Sequence, residues 1–351
     1  MAGRLRRIYR RVSEDSAVLP ALIAAIGTAL VTSIMPEFLD MIPGGNGTKI
    51  GITAFGTMML AGSWLSIYGK TGVGVAVFLK PNPNSAWLDT RLLEYSREAR
   101  SQHVSSFYVN VDELSPGAST DRVGITQRVI EARLREENPK RSTGISFYLT
   151  CGLANSYNLG SQLFNSTQGS QLRVRDFREI SVFNIPPSGT AAPLPPLRLL
   201  GAPNGPQTLQ GNYSLTSLIQ ITTQQLNGPA SADNRHALII HIASGSPNMV
   251  TDAMDAARHG SHARYQVAAN DTCETALIFA RHVASFPDDS KAYNAVLKEV
   301  VQRWSAHLAA HSGANGLPAE GRLFISAPTS LAFALGALIP AAGPTKVIDY
   351  L

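Results

Sequence analysis

A chain of 351 residues, 44% hydrophobic and 16% charged, holds enough apolar material for two domains at the usual size of roughly one to two hundred residues each. Its charged fraction lies well below the about 25% of typical soluble proteins, so part of the chain is expected never to meet water. Two cysteines, Cys151 and Cys273, exclude a disulfide framework, match no metal spacing and point to a reducing compartment. Five arginines in the first eleven residues match the whole formal charge of +5, leaving a near-neutral body that argues against a DNA or RNA groove.

The amino-terminal part, residues 1–71, reads as a two-helix transmembrane hairpin. Ala17 to Met35 and Ile50 to Gly69 carry no charge, and each approaches the roughly 20 residues that a helix needs to cross a bilayer. Arg4, Arg6, Arg7, Arg10 and Arg11 precede the first stretch, and Lys70 and Lys80 follow the second. This bias sets both ends in the cytoplasm. Pro36, Pro43, Gly44, Gly45 and Gly47 allow the reversal between the spans. Ala21, Ala25, Ala29 and Ser33 form a small-residue stripe suited to close helix packing, within one hairpin or between copies. A cleaved signal peptide is the alternative, but no small-x-small site follows and a second span comes at once.

The rest reads as two related halves, residues 72–185 and 214–351, joined by a Pro/Gly-rich connection at 186–213. Val73 to Leu79 is a strand, Trp87 to Arg100 a helix, Phe107 to Val111 a strand and Arg122 to Glu137 a helix; Val174 to Ile185 adds a strand. Seven prolines between Pro186 and Pro206 resist both helix and sheet. Leu218 to Thr222 and Ala237 to Ile242 are expected strands, and Met249 to Arg258 a helix. Thr272 to Ser285 is also expected as a helix, opened by Asp271 with Glu274 in a capping box. Lys291 to His311 follows as a long helix with Val296, Val300, Trp304 and Leu308 on one side. Leu323 to Ala327 is a strand, and Val347 to Tyr350 closes the sheet. The alternation predicts an α/β architecture with mostly parallel sheets.

The halves echo each other most closely at Tyr148 to Gly160 and Phe324 to Gly336, 176 positions apart. Each copy reads as an apolar strand, a short turn of small residues and an apolar helix, the way a doubly wound fold presents backbone N–H groups to a ligand at the carboxyl end of its sheet. The terminal block Gly321-Arg322-Leu323-Phe324-Ile325-Ser326-Ala327-Pro328-Thr329-Ser330-Leu331-Ala332-Phe333-Ala334-Leu335-Gly336, with Val347-Ile348-Asp349-Tyr350, resembles the close of a SAVED domain. That family fuses two CARF-like, Rossmann-like halves and senses cyclic oligonucleotides in bacterial antiphage defence. With two spans ahead of it, the chain is similar to the two-transmembrane SAVED effectors of CBASS systems. The resemblance implies a cyclic di- or trinucleotide made by a cognate cyclase, assembly into a homo-oligomer, disruption of the inner membrane and abortive infection. In the earlier copy Gly152-Leu153 stands for Pro328-Thr329, and Asn155 and Asn158 for Leu331 and Ala334.

Ligand-binding candidates gather at the expected strand-to-helix turns. Ser326, Ala327, Pro328, Thr329 and Ser330 form one mouth, and Thr150, Cys151 and Gly152 the other. Lys80, Asn82, Thr222, Thr223, Ser244, Ser246 and Asn248 sit on loops expected at the same end.

Other motifs carry less. Gly69-Lys70-Thr71 has Trp64 where a phosphate-binding loop needs its first glycine. His307 and His311 are four apart but have no acid between them, which favours a partly solvated helix face over a metal site. His241 is expected as a hydrogen-bonded interior histidine, and Tyr157 and Phe333 as core. No catalytic residue and no cofactor is expected. The rival readings are a membrane-tethered nuclease that degrades a cyclic messenger, and an anchor that recruits a separate effector.

Overall fold

The computed structural model describes residues 57–62, 72–79, 87–111, 121–137, 144–165, 179–183, 197–202, 205–208, 215–226, 234–243, 247–283, 286–287, 289–312, 318–341 and 343–350. The first expected span lies outside them, as does most of the second; residues 57–62 of the second are helical. Among the described residues no helix is long and apolar enough to cross a membrane. The chain falls into two units, Met1–Gly72 with Arg100–Ser105, and Val73–Ala99 with Ser106–Leu351. Both sheets belong to the second.

The first half runs β1 (Val73–Leu79), α1 (Trp87–Gln102), β2 (Ser105–Asn110), α2 (Arg122–Glu137), β3 (Ile145–Cys151), α3 (Leu153–Asn165) and β4 (Glu179–Phe183). An antiparallel pair, β5 (Leu197–Ala202) and β6 (Gly205–Thr208), extends it, giving the sheet order β2-β1-β3-β4-β5-β6. The second half begins with β7 (Ile219–Gln225), then repeats the series as β8 (Arg235–His241), α4 (Met249–His259), β9 (Thr275–Arg281), α5 (Ser290–His311), β10 (Glu320–Ser326), α6 (Thr329–Leu338) and β11 (Thr345–Val347). Its sheet order is β11-β10-β8-β9-β7. With the added strands set aside, β2-β1-β3-β4 matches β9-β8-β10-β11, so the repeat seen at two segments extends to the whole of each half.

Two sequence expectations are corrected. Thr272 to Ser285 is not a helix: Thr275–Arg281 is β9, parallel to β8 and antiparallel to β7. Its Leu277 and Phe279 join one core while Ala276 and Ile278 join another. A strand buried on both faces shows no period-2 pattern, and a short apolar run then reads as well for helix as for strand. Asp271 caps no helix there. The Pro/Gly-rich connection is also not free of sheet, since β5 and β6 occupy part of it. Pro206 sits in β6 at the sheet edge, where the missing N–H costs no ladder bond.

Strand alternation sorts the core into layers. Val75, Val77, Phe147 and Leu149 of the first sheet, and Leu238, Ile240, Leu323 and Ile325 of the second, share one cluster with Ile130 of α2, Leu159 of α3, Val300 and Trp304 of α5 and Phe333 of α6. The opposite faces are covered separately. Ala76 and Tyr148 meet Tyr95 and Ala99 of α1, and Ala237, Ile239 and Phe324 meet Ala253 and Ala256 of α4. Four helices therefore fill the space between the sheets, and one lies outside each. Phe333, from the second half, lies 5.0 Å from the ring of Phe147 and 6.0 Å from that of Phe164, both from the first. Burial of side chains of this size, at about 1.5–3 kcal/mol each, welds the halves into one body.

Candidate ligand site

The site is built around the two helices that follow the repeated strands. Ser156, in the first turn of α3, donates its hydroxyl to the carbonyl of Thr329, the first residue of α6, at 2.9 Å. One turn on, a Cβ added to Gly160 would collide with the Phe333 carbonyl, and one added to Gly336 with the Tyr157 carbonyl. The contacts advance together along both helices, from Ser156 on Thr329 to Gly160 on Phe333, so α3 and α6 run parallel with their starts side by side. Their N-terminal N–H groups, and the positive ends of their dipoles, face the same end of the molecule. The carboxyl ends of β3 and β10 open there too.

The structure separates the candidates around these ends. Ser326 is half-buried at the end of β10, and its carbonyl accepts N–H bonds from Ile242 (2.8 Å) and Ala243 (3.0 Å). Pro328 caps α6, and with Thr329 it is half-buried at the turn. Ala327 is buried and Ser330 has no exposure at all, so its hydroxyl is a core group. In the other half, Gly152 is half-buried and its carbonyl accepts from Ser156 N–H at 2.9 Å, whereas Thr150 and Cys151 are buried. Asn248 is exposed just ahead of α4, at the carboxyl end of β8. Lys80, Asn82, Ser244 and Ser246 lie outside the described residues.

Thr222 and Thr223 do not belong to this end. They pair with Ile278 and Leu277 midway along β9, and because β7 runs antiparallel, Ile219 is the residue opposite Arg281 at the mouth. The expectation failed because strand direction cannot be read from composition.

Two cations missing from the sequence reading stand at the mouths. Arg281 ends β9, close enough to His241 that its charge adds to burial in lowering the imidazole pKa. Arg122 opens α2 near Cys151. The misassigned helix over β9 hid Arg281, since a residue ending a strand, unlike one inside a helix, points to the carboxyl edge of a sheet. His241 itself is buried as expected, but among the described residues its Nε2 has no hydrogen-bond partner. Burial pushes the Cys151 thiol up to about 12 against the opposing influence of the Leu79 amide and Arg122, so it carries no thiolate at neutral pH.

No protein-family model matches the chain, and no curated protein is detectably similar to it. The chemistry of the site therefore stands on its geometry: two parallel helix starts, two half-buried turns and one arginine at each mouth. Such an array is suited to an anion with repeated charges. Tyr157 and Phe333 are core residues, as the sequence suggested, with exposures of 1% and 0%. They offer no surface on which a base could stack.

Proposed function

We propose that this chain is a cyclic-oligonucleotide receptor whose output is its amino-terminal hairpin. The observation that carries the reading is the parallel pairing of α3 with α6, anchored by Ser156 on Thr329, which sets two like mouths at one end of the molecule. A cyclic di- or trinucleotide carries one negative charge per phosphodiester around a ring and suits two such mouths, each with a cation. The resemblance of the terminal block to SAVED domains supports the same ligand class. In this reading a cognate cyclase makes the messenger, and the chain sits in the bacterial inner membrane with both termini in the cytoplasm. Binding gathers copies, raises the local concentration of their hairpins and lets the small-residue stripes associate, breaching the bilayer.

Incubation of the full chain with a panel of cyclic di- and trinucleotides tests this. The expected result is a raised unfolding temperature with one ligand class, recovery of that ligand intact, and leakage of liposomes carrying the chain only when it is added. Linear products would move the reading to a messenger-degrading nuclease. Ligand binding without leakage would leave an anchor that signals through another effector.

A further inference from the structure

At the opposite end of the second half, three imidazoles from distant parts of the chain converge. His236 lies near the start of β8, and His307 and His311 lie in the last two turns of α5. Their ring centroids are 4.4 Å apart for His236 and His311, 4.4 Å for His307 and His311, and 5.3 Å for His236 and His307. One ring nitrogen from each falls within 4.8 Å of the others. His236 is fully buried and the other two are half-buried, so His307 and His311 keep the partly solvated face expected of them and meet a third imidazole that their spacing did not reveal.

The hydrogen bonds fix which nitrogens carry protons. Asn234 Nδ2 donates to the His311 carbonyl at 3.0 Å, which turns its Oδ1 to accept from His236 Nε2 at 2.9 Å. His236 Nδ1 then accepts from the Thr275 hydroxyl at 2.8 Å, and that oxygen accepts from His307 Nε2 at 2.9 Å. His311 Nδ1 donates to the His307 carbonyl at 2.8 Å. Every bond is satisfied with all three rings neutral, leaving the lone pairs of His307 Nδ1 and His311 Nε2 uncommitted.

We propose that His236, His307 and His311 form a binding site for a late first-row divalent metal ion, zinc foremost. Neutral imidazoles favour such ions over magnesium or calcium, which take oxygen ligands. Zinc–nitrogen bonds of about 2.0–2.1 Å bring tetrahedral ligands to roughly 3.4 Å from one another, so the rings, which already place one nitrogen each within 4.8 Å of the others, have to rotate to close on an ion. His307 Nδ1 and His311 Nε2 are available as they stand, and His236 Nδ1 becomes so by giving up the Thr275 hydroxyl. The remaining bonds, from His236 to Asn234, His307 to Thr275 and His311 to the His307 carbonyl, then serve as the outer partners that hold ligating histidines in place. The site also lies at the carboxyl end of α5, where the helix dipole favours a cation. The ion would staple the end of α5 to the starts of β8 and β9, far along the strands from the mouths, and its presence does not depend on the receptor reading.

The full chain, stripped with chelator and dialysed, is titrated with zinc alone by calorimetry, and bound metal is counted by elemental analysis. The expected result is a single ion per chain with a raised unfolding temperature, and, with cobalt in place of zinc, visible bands of a four- or five-coordinate nitrogen site without thiolate charge transfer. His307→Gln and His311→Gln should each weaken binding by more than about tenfold, while His262→Gln on a distant loop leaves it unchanged. Far-UV circular dichroism checks that the variants fold, and the wild-type cobalt spectrum needs no variant. Failure to retain zinc, a pale octahedral cobalt spectrum, or undiminished binding in both folded variants, His307→Gln and His311→Gln, would overturn the proposal.

Discussion

Gly336 of α6 rests on the backbone carbonyl of Tyr157 in α3, so closely that a Cβ would overlap the oxygen. The same relation recurs between Gly160 and Phe333, the residues 176 positions away from each. The two glycines and their partners are thus a single contact written twice, and they set the pitch at which the halves of the protein meet.

Alanine at Gly336 or Gly160 tests that contact with a clear sign. In an open helix the change would stabilise by up to about 1 kcal/mol. Here it forces two backbones apart, and the overpacking cost of about 1–3 kcal/mol or more should prevail. Chemical denaturation should show a lower midpoint for either variant, and a rise would mean the helices do not cross where described.

Ser156 supplies the side-chain hydrogen bond that ties one strand-to-helix turn to the other. Ser156→Ala should cost about 1 kcal/mol and, if the paired mouths act together, should also weaken ligand binding in calorimetry. A stability loss with unchanged affinity would separate the scaffold from the site.

Asp271, with 1% exposure, accepts from Arg322 Nε at 2.7 Å, from Lys346 Nζ at 2.9 Å and from the Ala268 N–H at 3.1 Å. Burial alone would raise its pKa, yet the bonds from Lys346, Ala268 and Arg322 hold it below the ordinary 3.8. Its contribution is therefore present above that ordinary value and is lost as the pH falls through the depressed one. Asp271→Asn leaves Arg322 without its buried partner and should cost about 3–5 kcal/mol at neutral pH. Thermal unfolding of the two proteins should converge as the pH drops below about 4, and a constant gap would show that the carboxylate charge is not what matters.

Arg281 and Arg122 are assigned to the mouths by position alone. Replacing either with glutamine should weaken binding of the proposed nucleotide about tenfold to a hundredfold, the range for losing a hydrogen bond to a charged group. Wild-type affinity should also fall with added salt. Unaltered calorimetric titrations for both variants would move the ligand elsewhere.

Much of the fold could be read from the residues, because the apolar runs at Val73–Leu79 and Ile145–Cys151 and the helix at Arg122–Glu137 are long and cleanly bounded. The candidate site was legible only in part. The turns at Gly152 and Pro328 were found through the repeat, but Ser330 and Thr150 proved to be core groups and Thr222 and Thr223 lay along an edge strand. Polar residues in turns look alike in sequence whether they face solvent or the interior.

The sequence by itself determined the duplication, the α/β class and the order of most of the described elements, since those follow from local apolar periodicity and turn residues. Only the tertiary structure decided that Thr275–Arg281 is a strand, that the glycines of the two copies meet each other, and that His236 joins a histidine pair more than seventy residues away. The reason is the same in each case. A run buried on both faces, a missing Cβ and a neutral imidazole acquire meaning from what packs against them, and that neighbour is supplied by the fold.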